Sequence, residues 1–263
     1  MNKDKPKAII VFDIDGVIRD VGNSYRRAIS DTVEHFTDGA WRPTMEDLDT
    51  LKSEGIWNND WRASEELVYR YFDSQGRSRD KVNLDYDRIV DFFQGRYRGT
   101  NPEAFDGYIT TEPLLVSTSY LQQLSDNNIG WGFFSGATRG SAEYVLKQRL
   151  GLTEPVLIAM EDAPGKPDPT GLFAAIAKIT SDATCPVFYL GDTVADMLTI
   201  IKAREVKPAG NWIGIGILPP HVQSSARQTS YGEKLKQAGA AIVLNNVEQL
   251  DFKTVEEVLN SQL

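Results

Sequence analysis

The sequence predicts an α/β protein, a doubly wound parallel sheet interrupted early by an inserted α-helical domain. Three observations carry this. The run 8–12, Ala-Ile-Ile-Val-Phe, is continuously apolar and rich in β-branched residues, as expected of a strand covered on both faces. Short apolar runs recur beyond residue 130 with helical patterns between them, which implies right-handed βαβ units. The stretch between those regions shows only helical periodicity. The expected organisation is therefore a core of 1–21 with 107–263 and a helical insertion over 22–106.

The first strand stops at charge. Asp13 and Asp15 fall at its carboxyl end, where open α/β sheets place their ligands, and Gly16 releases the backbone into a turn. Strand periodicity puts the two carboxylates on one side of the chain, so they need a cation or a proton to coexist. The plainer alternative is a strand ending in a solvated acidic loop.

Helices follow. Residues 23–36 carry apolar positions at helical spacing, and Thr44 with Asp47, behind Pro43, forms a capping-box pattern that opens another helix. Further helical stretches run over 60–72 and 85–94, with Gly55, Gly76 and Gly95 as expected breaks. Alternation begins near Glu112: a helix over 117–124, a strand over 131–134, a helix over 140–150 closed by Gly151, and a strand over 156–159. A helix then opens with Asp168 as N-cap and Pro169 at its first position, and a strand follows over 187–190. A helix over 197–203, strands over 212–218 and 241–244, and a C-terminal helix complete the chain.

Composition narrows the function. The net charge of −9, with no basic stripe to offset it, argues against nucleic acid or an anionic membrane as partner. No apolar run approaches the roughly 18 residues of a membrane span, and the polar start over 1–7 with its short apolar follow-on is not a secretory signal. The expected location is the cytoplasm. Cys185 has no partner for an internal disulfide and reads as a core residue before a strand. His35, on a helix, reads as structural, and His221, after Pro219-Pro220, as loop surface. The sequence Gly214-Ile215-Gly216 lacks the rest of a dinucleotide fingerprint.

The later strand ends decide the chemistry. The strand over 131–134 runs into Ser135-Gly136, a hydroxyl and a glycine before a helix N-terminus, which suits an oxyanion or phosphate and equally a routine N-cap. Lys166 lies in a loop stiffened by Gly165, Pro167 and Pro169. The strand over 187–190 leads to Asp192 and, near the start of the next helix, Asp196. Four acids and one lysine at strand ends suit Mg²⁺, a hard cation that takes oxygen ligands and often shares its shell with substrate phosphate.

These residues match, in order, the four motifs of the haloacid-dehalogenase superfamily, whose phosphatases with a helical cap after the first motif this chain resembles: Asp13-Ile14-Asp15-Gly16-Val17, Ser135, Lys166, and Gly191-Asp192 with Asp196. The resemblance implies a Rossmann-like core and a Mg²⁺-dependent phosphatase acting on a small phosphorylated metabolite. Asp13 would be the nucleophile that forms an aspartyl-phosphate and Asp15 the general acid/base. Ser135, with Gly136, and Lys166 would bind the phosphoryl group. Metal ligands would come from the Asp13 carboxylate, the Asp15 carbonyl and Asp192, with Asp196 holding a metal-bound water. It further implies that the first and fourth motif strands are neighbours at the reversal of strand order. An acid at position 15 argues for phosphoryl chemistry, since the family's dehalogenases usually lack one there.

Two alternatives stand beside this reading. One is a phosphomutase of the same superfamily; its hinge histidine appears here as Tyr25. The other is a receiver-like phospho-acceptor module, whose acids lie on different strands and which has no helical insertion. Within the insertion, the stretch 55–62, Gly-Ile-Trp-Asn-Asn-Asp-Trp-Arg, offers aromatic faces, amides and a cation for a polar leaving group. Trp57, Asn59 and Arg62 are the candidate contacts there, with Arg96 and Arg98 as weaker ones. The competing account has Trp57 and Trp61 packing the insertion's own core and Asn58 capping the next helix.

Overall fold

A computed structural model describes residues 5–57, 59–101, 104–181, 184–223 and 226–260. Strand β1, Ala8–Phe12, is wholly buried, as its unbroken apolar run requires. The chain then enters helices α1 (Tyr25–Phe36), α2 (Met45–Lys52), α3 (Asp60–Ser74) and α4 (Tyr86–Tyr97). After a 3₁₀ turn at Tyr108–Thr111 come α5 (Thr118–Asp126), β2 (Ile129–Phe134), α6 (Arg139–Glu143, continued as a π-turn over Tyr144–Arg149) and β3 (Leu157–Ile158). Helix α7 (Thr170–Ile179), β4 (Val187–Gly191), α8 (Val194–Val206) and β5 (Trp212–Ile217) follow. The short α9 (Pro220–Gln223), α10 (Gln228–Gln237), β6 (Ala240–Leu244) and α11 (Phe252–Asn260) end the described chain.

The chain divides into two compact units, Met1–Asp20 with Leu114–Leu263, and Val21–Pro113. The return from the helical unit thus lies at 113/114, beyond the 106/107 expected. The 3₁₀ turn belongs with the helices, because the Tyr108 hydroxyl donates to Asp31 of α1 at 2.7 Å and the Arg27 guanidinium lies 4.3 Å from the Tyr108 ring.

In the first unit, six parallel strands run in the order β3-β2-β1-β4-β5-β6. The order reverses between β1 and β4, whose register pairs Phe12 with Leu190 and lets the Asp13 N–H donate to the Leu190 carbonyl at 2.8 Å. Alternate residues of β1 serve two helix layers. Ala8, Ile10 and Phe12 pack with Tyr120 and Leu121 of α5 and Val255 of α11, whereas Ile9 and Val11 pack with Leu172 and Ile176 of α7 and Ile200 of α8. Cys185 belongs to that second layer. Each fully buried aliphatic side chain adds about 1.5–3 kcal/mol, so the strand that leads to the first acids is firmly anchored.

In the helical unit, α1 buries Tyr25, Ala28, Ile29 and Val33, a stripe at helical spacing, against α3 and α4. The Thr44–Asp47 capping box opens α2 as expected. Gly95 does not break α4, which continues to Tyr97; one interior glycine costs a helix only about 1 kcal/mol. Helix α7 begins at Thr170, one residue after Pro169, with Asp168 Oδ1 accepting from the Thr170 N–H at 2.9 Å. His221 lies in α9, half-buried, and is not loop surface. Among the described residues, no helix is long and apolar enough to cross a membrane.

Candidate active site

The odd-numbered face of β1, Ile9 and Val11, continues into Asp13, so that carboxylate emerges on the side covered by α7 and α8. Lys166 precedes α7, and Asp196 sits in the first turn of α8. Helix layers chosen by hydrophobic alternation therefore bring three residues distant in sequence to one point. Lys166 Nζ donates to Asp13 Oδ1 and Asp196 Oδ1, each at 2.6 Å, and all three side chains are buried.

Asp196 is held from every side. Tyr189, on β4, donates its hydroxyl to Asp196 Oδ1 at 2.9 Å, and the Thr193 N–H donates to Oδ2 at 3.0 Å within a reciprocal capping box. Asp192, at the end of β4, completes a buried cluster in which one carboxylate oxygen each from Asp13, Asp192 and Asp196 lies within 4.8 Å of the others. The Tyr231 hydroxyl donates to the Asp192 carbonyl at 3.0 Å and fixes the backbone there.

Charge in this pocket does not balance. Three carboxylates face one ammonium, so full ionisation would leave negative charge in excess here. Burial pushes the Asp13 carboxyl up to about 7; Lys166 pulls against this, and Asp196 and Asp15 add to it. Burial works to lower Lys166, but the attraction of Asp13 and Asp196 outweighs it and holds the ammonium charged. Burial, followed by the field of Asp196 and Asp13, raises Tyr189, so it stays a neutral donor. Buried, oxygen-only and richer in carboxylates than in cations, the donor set fits Mg²⁺. Gly16 fits it too: with φ +77° it sits so close that a Cβ there would lie 2.1 Å from Asp192 Oδ2, so only glycine leaves the space beside that oxygen.

Ser135 follows β2, the neighbour of β1 on its other side, and is buried. Its Oγ accepts from the Ala137 N–H at 3.1 Å in a turn that carries half-buried Gly136 toward α6. Asp15 is not one of the three clustered carboxylates, although its charge acts on Asp13. The strand ends at Phe12, and residues 14–19 curl so that the Ile18 and Arg19 N–H groups donate to the Ile14 carbonyl at 2.8 and 3.2 Å; period two no longer applies. Its side chain meets Arg19, with Nε and Nη2 both 2.6 Å from Oδ1.

The candidates in the helical unit have partners inside that unit. Asn59 caps α3, its Oδ1 accepting from the Arg62 N–H at 3.0 Å; Asn58, the expected cap, lies outside the described residues. Arg62 pairs with Glu65 at 2.7 Å and lies over the Tyr86 ring at 3.6 Å. Half-buried Trp57 donates its indole N–H to Glu54 at 2.6 Å, and Trp61 is also half-buried. Arg96 and Arg98 lie over Phe92 and Phe105, and exposed His35 stacks on Phe92 at 4.1 Å.

Sequence reasoning missed Arg19, Tyr189, Thr193 and Tyr231. A capping box was legible in Thr193-Val194-Ala195-Asp196 as it was at Thr44, and a tyrosine inside a buried strand needs a hydrogen-bond partner. No local pattern announces Arg19 or Tyr231, whose roles arise from folding back.

Comparison with known proteins agrees with this geometry. A family model described as haloacid dehalogenase-like hydrolase matches residues 7–204. A curated Phytophthora nicotianae protein, imidazoleglycerol-phosphate dehydratase, is 31% identical over 245 residues; the match covers 91% of this chain, which spans only 50% of that protein. Among solved structures, phosphatase Tt82 from Thermococcus thioreducens is 25% identical with a TM-score of 0.61, covering 79% of this chain and 92% of that one. A β-phosphoglucomutase from Clostridium difficile, 17% identical with a TM-score of 0.62 over 98% and 99% of the two chains, shares the fold.

Proposed function

Because the chain belongs to the haloacid dehalogenase-like hydrolases, we propose that it is a Mg²⁺-dependent phosphatase that hydrolyses a small phosphate monoester through an aspartyl-phosphate on Asp13. The observation that carries this reading is the buried charge imbalance, three carboxylates against one ammonium at the reversal of strand order.

Asp13 and Asp192 supply oxygen ligands, with the Asp15 carbonyl completing the protein's share. Asp196, both of whose oxygens are engaged, acts from behind by fixing Lys166. Bound Mg²⁺ supplies the positive charge that lets a carboxylate approach a phosphate dianion. Lys166 shares that task, and Ser135 with the N–H groups of its turn receives the phosphoryl oxygens. Asp13 attacks phosphorus, a bond forms from its carboxylate oxygen, and the ester P–O bond breaks. Asp15 gives its proton to the leaving oxygen, then takes one from the water that cleaves the aspartyl-phosphate. Phosphate leaves and both acids return to their starting states.

The buried donor set suits a small ester rather than a polymer. The name of the Phytophthora relative places imidazole-bearing glycerol-type phosphate esters first in a substrate panel, beside sugar, polyol and glycolate phosphates. The test is phosphate release from that panel and from p-nitrophenyl phosphate, with and without EDTA, by wild type and Asp13→Asn. The reading expects activity that EDTA removes and Mg²⁺ restores, and none detectable in Asp13→Asn. Full activity in EDTA, or in Asp13→Asn, would overturn it.

A further inference from the structure

Arg19 is a fully buried arginine beside the proposed catalytic loop, and the mechanism above gives it no task. A guanidinium so placed is costly unless its hydrogen bonds are well made. Its Nε donates to Asp15 Oδ1 at 2.6 Å and its Nη2 lies at the same distance from that oxygen as an ion pair, so it grips one oxygen of the carboxylate and sets the direction of the other. The grip closes on itself through the backbone, because the Gly16 N–H donates to the Arg19 carbonyl at 2.9 Å.

Arg19 also stands where two segments of the first unit meet. Its backbone bridges Leu114, and the Leu115 N–H donates to the Ile18 carbonyl at 2.8 Å. Asp20 and Leu114 are the residues at which the chain leaves and re-enters this unit. The loop is thus tied down by main-chain bonds that do not depend on the Arg19 side chain, whose guanidinium meets Asp15.

We propose that Arg19 is a positioning residue for the reaction: it orients the Asp15 carboxylate for proton transfer to the leaving group and from the attacking water. This rests on the phosphatase reading. It predicts a division between steps. In the first, the Asp13–phosphorus bond forms, the ester P–O bond breaks and the proton on Asp15 passes to the leaving oxygen; a p-nitrophenolate leaves without that proton, an alkoxide does not. In the second, Asp15 removes a proton from water as the new P–O bond forms and the Asp13–phosphorus bond breaks, whichever ester was used.

The experiment compares wild type, Arg19→Met and Arg19→Lys on p-nitrophenyl phosphate and on the best alkyl phosphate of the panel, with acid-quench measurement of protein-bound phosphate. Misdirecting Asp15 should lower kcat for the alkyl ester by about 10²-fold, with KM little changed. On p-nitrophenyl phosphate the variants should release a burst of p-nitrophenolate and accumulate phosphoenzyme. Arg19→Lys, which keeps the charge without the fork, should recover part of the rate, and it serves alone if Arg19→Met does not fold. Equal proportional losses on both substrates with no phosphoenzyme, or wild-type rates in Arg19→Lys, would overturn the assignment. Failure of the phosphatase reading looks different: wild type itself would then release no phosphate.

Discussion

The acids around Lys166 in the first unit and the arginine-paired acids of the helical unit obey the same electrostatics and end in opposite states. In the helical unit, exposed Glu54 and Asp73 and buried Glu66 each have an arginine within 2.9 Å, Arg70 or Arg79, and both arginines are open to screening by water. Around Lys166, three carboxylates crowd one ammonium out of reach of solvent. Acids each matched by a partly exposed arginine need no further explanation, whereas buried carboxylates that outnumber their ammonium ask for a ligand. The difference separates structural from functional charge more sharply than residue type does, since both regions hold the same side chains.

The largest test of this contrast is Lys166→Met. Removing the ammonium strands buried carboxylates, which should cost about 3–5 kcal/mol of stability at pH 8 without metal, and activity should vanish. The penalty should shrink toward pH 5 as the acids take protons. Denaturant unfolding at both pH values measures it. An unchanged midpoint at pH 8 would mean that Lys166 does not neutralise the cluster.

Next in size is the response to Mg²⁺. The folded-state Asp13 carboxyl sits near 7, above its usual 3.8, so the metal-free fold holds a proton that the unfolded chain has released. That contribution to stability is complete below about pH 3.8 and is lost as pH rises through 7. In EDTA, Tm should therefore fall between pH 6 and pH 8, and Mg²⁺ should raise Tm more at pH 8, where no proton competes; at 100 times its dissociation constant the gain is about 2.7 kcal/mol. A shift that is equal at both pH values, or larger at pH 6, would place the cation away from Asp13.

Much of this site was legible in the sequence because strand ends in parallel sheets are ligand positions, and Asp13, Ser135, Lys166 and Asp192 each interrupt a pattern there. What remained hidden depended on tertiary packing. Gly95 looked like a break because propensity is local, yet α1 packs against α4 and outweighs one glycine. The return at Pro113 was invisible because the Tyr108–Asp31 bond spans two segments distant in sequence. Asp15 was assigned a strand's geometry three residues after the strand had ended.

The helical unit should respond more weakly. Glu66 is desolvated, which would raise its pKa, but hydrogen bonds from Arg79 and Arg70 prevail and lower it. Its stabilisation is present above its usual 4.5 and is lost as pH falls through the folded value. Both arginines are more than a third exposed, so Glu66→Gln should cost no more than about 1 kcal/mol at pH 7, less at pH 3, and leave p-nitrophenyl phosphate turnover unaltered. A loss of several kcal/mol, or of catalysis, would break the contrast between the regions.

The smallest effect lies in the 55–62 stretch, where the contrast can be sharpened. Asn59 caps α3, and Arg62 is half exposed, paired with Glu65 and stacked on Tyr86, so each has work within the helical unit. Asn59→Ala should cost about 1 kcal/mol as a lost cap, and Asn59→Asp, which caps as well, should cost little. Arg62→Ala should cost under about 1 kcal/mol. If these residues also touch a leaving group, kcat/KM for the best panel substrate should fall while that for p-nitrophenyl phosphate holds, since contacts to a remote group leave the phosphoryl site intact. Asn59→Asp then separates the roles, because it preserves the cap but replaces an amide donor with a carboxylate. Selectivity lost in Asn59→Asp at unchanged stability assigns Asn59 to the substrate; selectivity kept in every variant assigns the stretch to the architecture of the helical unit.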